Sequence, residues 1–302
     1  MRSLFLFLSR RRKLRRWMET SRAARRLSAR FVAGDTLSDA IAVSRRINGE
    51  GIMITLDHLG ENVTSLEEAA AFRDVYIKTL EALVRERIEG NVSLKLTQFG
   101  MDMSGRACWE NVEMLVSRAA ELGTFVRVDM ESSDYTDRTL ELVCDLHARY
   151  GAVGAVIQAY LRRSEADVEM LCARGIRVRL CKGAYLEPAE VAFQSKSEVD
   201  ASFVRLMRIL LEKGNYPAIA THDEKMLAAT RQFASERGNP PDRYEFQMLY
   251  GIRRDLQRQL VSAGYKMRLY VPFGRAWYPY FMRRLAERPA NVFFVARNIF
   301  RQ

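Results

Sequence analysis

Eight short runs of β-branched, aliphatic and aromatic residues, each followed by a longer amphipathic stretch, organise the chain from residue 52 onward. The runs are Ile52–Leu56, Val92–Thr97, Phe125–Asp129, Ala155–Gln158, Arg177–Cys181, Ala218–Thr221, Tyr244–Met248 and Met267–Val271, and they read as strands. Helices are expected over Leu66–Arg87, Ala107–Leu122, Thr136–Tyr150, Glu165–Arg174, Asp200–Glu212, Lys225–Arg237, Arg253–Ala263 and Ala276–Arg288. A further helix, capped by Asp35 or Thr36, is expected to end at Asn48. Strict strand–helix alternation implies parallel strands. Eight such units in 302 residues predict an α/β fold, a (β/α)8 TIM-type barrel with extra N-terminal helices. The rival is a doubly wound open sheet, which announces a phosphate loop after its first strand. Here the first strand runs into Asp57-His58-Leu59-Gly60-Glu61, without the G-x-G-x-x-G pattern.

Charge divides the chain in two. Residues 1 to 34 hold eleven Arg or Lys against Glu19 alone, so nearly all of the net +11 lies there and the rest is close to neutral. A near-neutral body argues against a nucleic-acid partner. The boundary is placed at a basic N-terminal helical arm, residues 1–34, and a catalytic barrel, residues 35–302. The apolar run Leu4–Leu8 is too short to span a membrane, and its basic residues follow rather than precede it, unlike a signal peptide. Leu14, Trp17 and Met18 at helical spacing among arginines suit an anionic membrane surface, or equally a solvated helix packed on the body. The expected location is cytoplasmic, peripheral on the inner face of the membrane. Four cysteines and three histidines lie at spacings that fit no metal motif, so reduced thiols and no metal are expected.

A barrel puts its active site at the C-terminal strand ends. Those ends read Asp57-His58, Lys95 to Gln98, Asp129-Met130-Glu131, Gln158 to Tyr160, Arg179 to Tyr185, Thr221-His222-Asp223, Gln247 to Gly251 and Tyr270 to Gly274. Lys95 alternates with Leu94 and Leu96, which points it into the barrel as a structural ion pair or a Schiff-base nucleophile. Arg127 and Asp129 share strand parity and point inward together. Arg179 and Lys182 place two cations beside Gly183, suited to a phosphate or an anionic ring system. In the last helix Tyr280, Arg283, Arg284 and Glu287 share one face. Two adjacent arginines there suit a small carboxylate, or form a solvated face paired with Glu287.

The stretches from Arg179 to Tyr185, Thr221 to Asp223, Glu245 to Gly251, Tyr270 to Gly274 and Trp277 to Asn291 resemble the proline dehydrogenase family. The likeness runs in order from about Asp35 to Asn291, and its last stretch is the most specific. No aldehyde dehydrogenase half follows, so the likeness is to the monofunctional form. It implies noncovalent FAD, contacted by Met130, Gln158, Lys182, Gly183, Ala184, Thr221 and His222. It implies that Arg283 and Arg284 hold the carboxylate of L-proline, with Lys95, Tyr270 and Glu287 lining the pocket, and that Asp129 and Arg179 are catalytic. The implied reaction is hydride transfer to flavin N5, giving Δ1-pyrroline-5-carboxylate, with a membrane quinone as electron acceptor. A Schiff-base lyase built on Lys95 or Lys182, and a docking module built on the arm, are the competing readings.

Overall fold

The computed structural model describes residues 28–60 and 63–287, together with Met18 and Ser21. Eight parallel strands close in chain order: β1 (Met53–His58), β2 (Gly90–Leu94), β3 (Val126–Val128), β4 (Val153–Gln158), β5 (Val178–Cys181), β6 (Ala218–Ala220), β7 (Glu245–Leu249) and β8 (Lys266–Phe273). β8 returns to β1, with Thr55 opposite Tyr270. Helix α1 (Leu37–Gly49) precedes β1. The strands are followed by α2 (Leu66–Arg85), α3 (Gly105–Glu121), α4 (Thr136–Tyr150), α5 (Ser164–Ala173), α6 (Lys196–Lys213), α7 (Glu224–Glu236), α8 (Arg254–Ser262) and α9 (Tyr278–Glu287). Among the described residues no helix is long and apolar enough to cross a membrane. All four cysteines are free thiols.

Strand parity explains how the sequence builds this. One parity turns outward under the helices and is apolar: Ile54, Leu56, Val92, Leu94, Phe246 and Leu269 are all buried. The other parity turns inward and is largely polar, apart from Val156, Ala218 and Ala220, where barrels of this class usually pack branched aliphatic side chains. Its floor is an ion pair: Arg268 grips Glu245 through Nε–Oε1 at 2.8 Å and Nη2–Oε2 at 3.0 Å. Arg268 Nη1 also donates to Asn91 Oδ1 at 3.1 Å, which accepts from Thr55 Oγ1 at 2.6 Å. Beside them Arg127 Nη1 donates to the carbonyls of Arg177 and Ala155. Buried charge is tolerated here because hydrogen bonds replace much of the lost hydration.

Most element boundaries differ from the sequence reading by one or more residues, and three of the differences have a clear local cause. The second strand stops at Leu94, because the chain turns into a 3-10 helix, Leu96–Phe99, closed by Gly100 in the left-handed region at φ 91°. Helix α6 begins earlier than Asp200, at Lys196, since Ser195 and Glu198 form a reciprocal capping box. The last strand runs two residues further, through Pro272 to Phe273, paired against Asp57 and His58. Of the two cap candidates, Thr36 is the N-cap, and Asp39 completes a capping box with it.

A second apolar cluster sits over the barrel mouth. Phe31, Val32, Leu59 and Ile252 pack there against Trp277, Tyr278 and Phe281 of the α9 region. The backbone of residues 33 and 34 is stitched to the end of β8: Ala33 N–H donates to Pro272 O, and Gly274 N–H to Gly34 O, both at 2.8 Å. Gly251 is close to irreplaceable. Its φ is +78°, and a Cβ would lie 1.8 Å from the Arg30 carbonyl oxygen.

Candidate active site

Asp129, one residue past β3, is the hub of the mouth. Its Oδ1 accepts from Ser93 Oγ at 2.6 Å and from Arg179 Nη1 at 2.7 Å. Its Oδ2 accepts from the Tyr270 hydroxyl at 2.9 Å, and Lys95 Nζ lies 3.9 Å away. Four groups from three strands, β2, β5 and β8, thus converge on one carboxylate. Burial, then the charges of Asp129 and Asp57, push the Tyr270 phenol well above its ordinary range, so it remains a donor. The Arg179 guanidinium lies over the Tyr270 ring, 5.4 Å from its centroid. Arg179 is 6% exposed. Its Nε donates to Gln247 Oε1 at 2.6 Å, and its Nη2 is buried without a hydrogen-bond partner among the described residues.

Lys95 points inward, as its alternation with leucine predicts, and stands between Asp57 Oδ2 at 3.7 Å and Asp129 Oδ2 at 3.9 Å. Asp57 in turn accepts from the Tyr76 hydroxyl at 3.1 Å. Lys182 is held by Asp200 at 2.5 Å and Asp223 at 2.8 Å, and Lys196 joins the same cluster. Each of these two ammonium groups therefore sits between two carboxylates. A nucleophilic lysine needs the reverse, a dry or cation-flanked pocket. The Schiff-base reading gains no support from either residue.

The other positions singled out in the sequence gather on the β4 to β7 side. Gln158 Nε2 donates to Glu131 O at 2.8 Å, and its Oε1 accepts from Ala184 N–H at 3.3 Å. Met130 is buried beside them. Thr221 Oγ1 accepts from Asp223 N–H at 3.1 Å, and His222 Nε2 from Leu249 N–H at 3.0 Å. Gly183 has a specific internal reason to be glycine. Its φ is +121°, and a Cβ would lie 2.3 Å from the Tyr160 ring. The close approach read from the sequence is made to a tyrosine of this chain. Arg283, Arg284 and Glu287 lie on α9, whose backbone follows β8 directly. Their side chains lie outside the described residues, as does most of the arm, so the carboxylate clamp remains an inference from spacing and resemblance.

Four participants were not selected from the sequence. Ser93 and Gln247 share the inward parity that identified Asp129, and extending that parity to the neighbouring strands would have found them. Asp57 stood at a strand end without a partner to single it out. Tyr76 reaches in from α2 and carries no strand-end signal. Glu131 is a fifth buried group: burial raises its carboxyl above the usual range against the hydrogen bonds from Thr97.

Comparison with known proteins gives the arrangement its chemistry. A family model described as proline dehydrogenase matches residues 40–297. Proline dehydrogenase 2 of Bacillus subtilis (strain 168) is 40% identical over 298 residues, covering 99% of this chain and 98% of that one. A proline dehydrogenase of Deinococcus radiodurans is 42% identical over 278 residues, 90% of each chain. A crystal structure of proline utilization A from Bdellovibrio bacteriovorus, inactivated by N-propargylglycine, superposes with a TM-score of 0.81 at 29% identity, over 87% of this chain and 32% of that one. The fold and its polar mouth are those of a barrel oxidoreductase that acts on proline. The chain belongs to the proline dehydrogenase family. Proline oxidation, the first step of proline catabolism, is its reaction.

Proposed function

We propose that the chain oxidises L-proline to Δ1-pyrroline-5-carboxylate at a noncovalently held FAD, and that the electrons leave to a membrane quinone. The observation that carries this reading is the Arg179 guanidinium, fixed on two edges, with a buried Nη2 donor left over at the mouth. A fixed cation with an unsatisfied donor suits the negative charge that develops on a flavin ring during reduction, so the residues present fit the cofactor. When bound, FAD would supply the two-electron acceptor that takes a hydride at N5 from the proline C5 carbon. Gln158, Met130, Gly183, Ala184, Thr221 and His222 would line its binding face. Lys182, already matched by Asp200 and Asp223, would hold that wall in place as much as carry charge to the cofactor.

This chain's own residues have separable tasks. Asp129 holds Arg179 and Tyr270 in register and balances their surroundings. Tyr270 presents a ring face to a small saturated heterocycle. Lys95 keeps a positive charge near the substrate side of the mouth. Arg283 and Arg284 would fork the substrate carboxylate from α9, with Glu287 beside them. The basic arm, residues 1–34, would rest on the anionic inner face of the membrane, close to the quinone. The test is the composition of the purified protein. One FAD per chain should be released in full by acid precipitation, and proline should return lighter by two hydrogens when an electron acceptor is supplied. A colourless, folded protein that ignores added FAD would overturn the proposal.

A further inference from the structure

Beneath the mouth, Gln247 joins an arginine to a glutamate. Its Oε1 accepts from Arg179 Nε at 2.6 Å, and its Nε2 donates to Glu245 Oε1 at 2.5 Å. An amide can in principle be turned over, but only one orientation works here. A guanidinium nitrogen can only donate, so the amide oxygen must face Arg179. At the other end, burial opposes ionisation of Glu245. The Arg268 charge and its hydrogen bonds outweigh that cost and hold the carboxyl below its usual range. An ionised carboxylate can only accept, so the amide nitrogen must face Glu245. Both neighbours demand the same rotamer of a side chain that is 4% exposed.

The consequence falls on Arg179. Its Nη1 is shared between Asp129 at 2.7 Å and Ser93 at 3.1 Å. Contacts at Nη1 alone would let the guanidinium plane swing about them. The Nε contact to Gln247 removes that freedom and leaves Nη2 as the one guanidinium nitrogen with no hydrogen-bond partner among the described residues. Gln247 is anchored through Glu245 to Arg268, whose Nη1 donates to the carbonyl of Ile54 on β1 at 2.9 Å. The direction of Nη2 is therefore referred back to the rigid floor of the barrel.

We propose that Gln247 is a positioning residue for proline oxidation: it sets the plane of the Arg179 guanidinium, and with it the aim of the Nη2 donor. The inference rests on the flavin reading above and deepens it. Gln247 acts through Arg179, so its signature lies in the flavin's redox equilibrium rather than in proline affinity.

The test is the midpoint potential of the bound flavin, measured by spectroelectrochemistry on the full-length holoenzyme. Gln247→Met removes both contacts at similar volume. Gln247→Asn keeps an amide for Glu245 but withdraws it from Arg179 by one methylene, which guards against a variant that fails to fold. Each should destabilise the reduced flavin relative to the oxidised by about tenfold, a drop of about 30 mV for two electrons. The proline KM should change by less than about threefold, since uniform substrate binding is untouched. In an Arg179→Met background, Gln247→Asn should cause no further drop, because nothing is left for it to aim. A wild-type potential in both Gln247 variants, or a drop that persists in full without Arg179, would overturn the inference. A wild-type chain that binds no flavin would instead overturn the functional reading, and this inference with it.

Discussion

Asp129 and Glu245 are both inward carboxylates, yet they do opposite work. Asp129, at the mouth, gathers Ser93, Arg179 and Tyr270 around one side chain. Asp129→Asn keeps the shape but removes the charge and turns an N–H₂ toward donors. Losing a buried charge-assisted partner costs on the order of 2–5 kcal/mol, so flavin reduction by proline should slow by about 30-fold or more in stopped-flow measurements. Glu245, at the floor, serves stability. Its folded carboxyl is held below the unfolded value, so its contribution is present above about pH 4.5 and is lost as pH falls through the folded value. Glu245→Gln leaves Arg268 buried without its counter-charge. It should lower unfolding stability at pH 7 by about 3–5 kcal/mol and flatten the acid limb of a urea-denaturation series. An acid limb as steep as that of the wild type would show that other carboxylates govern it. Much of this scale was legible in the sequence. Alternation with leucine turned Lys95 inward, and shared parity did the same for Arg127 and Asp129. Gln247 needed a partner strand to give its amide meaning, and Tyr76 comes from a helix, where strand parity says nothing.

Among the elements, α9 depends most on residues distant in sequence. Phe31 is fully buried against it, its ring 6.0 Å from that of Phe281, and Trp277 packs edge-on to Phe281 at 5.7 Å. The sequence boundary at residue 34 passes through this cluster. Composition drew that line, because charge falls off there, but the apolar pair Phe31-Val32 packs with the barrel. Phe31→Ala should cost about 3–5 kcal/mol of local or global stability through the cavity it opens. Since α9 carries Arg283 and Arg284, the proline KM should rise more than kcat falls. An unchanged KM with reduced thermal stability would place the carboxylate clamp elsewhere. Other element boundaries failed in the sequence for local reasons. The Ser195–Glu198 box lies in the spacing of the sequence itself, whereas the turn at Lys95 is decided by Gly100, five residues on.

At the scale of the whole molecule, eight strand–helix units fixed the barrel, and the structure closes them in chain order. What periodicity could not convey is that the interior carries so many charged and amide groups, a floor of charge beneath a mouth of charge, with small or apolar residues such as Val156, Ala218 and Ala220 between them. The arm holds most of the net charge of +11 and lies apart from this column in sequence. Truncation should stop at residue 27, sparing Phe31. The shortened protein should bind anionic vesicles more weakly, by on the order of 1 kcal/mol per basic residue that reached the surface, while oxidising proline with a soluble dye as before. Equal vesicle binding by both forms would assign the arm another task. The central claim, that the Asp129–Arg179 mouth oxidises proline at a flavin, is tested most directly by anaerobic titration of the holoenzyme with L-proline. The flavin absorption band should bleach in proportion to proline added, and return when a quinone is introduced. A flavin band that stays unchanged at saturating proline would contradict it.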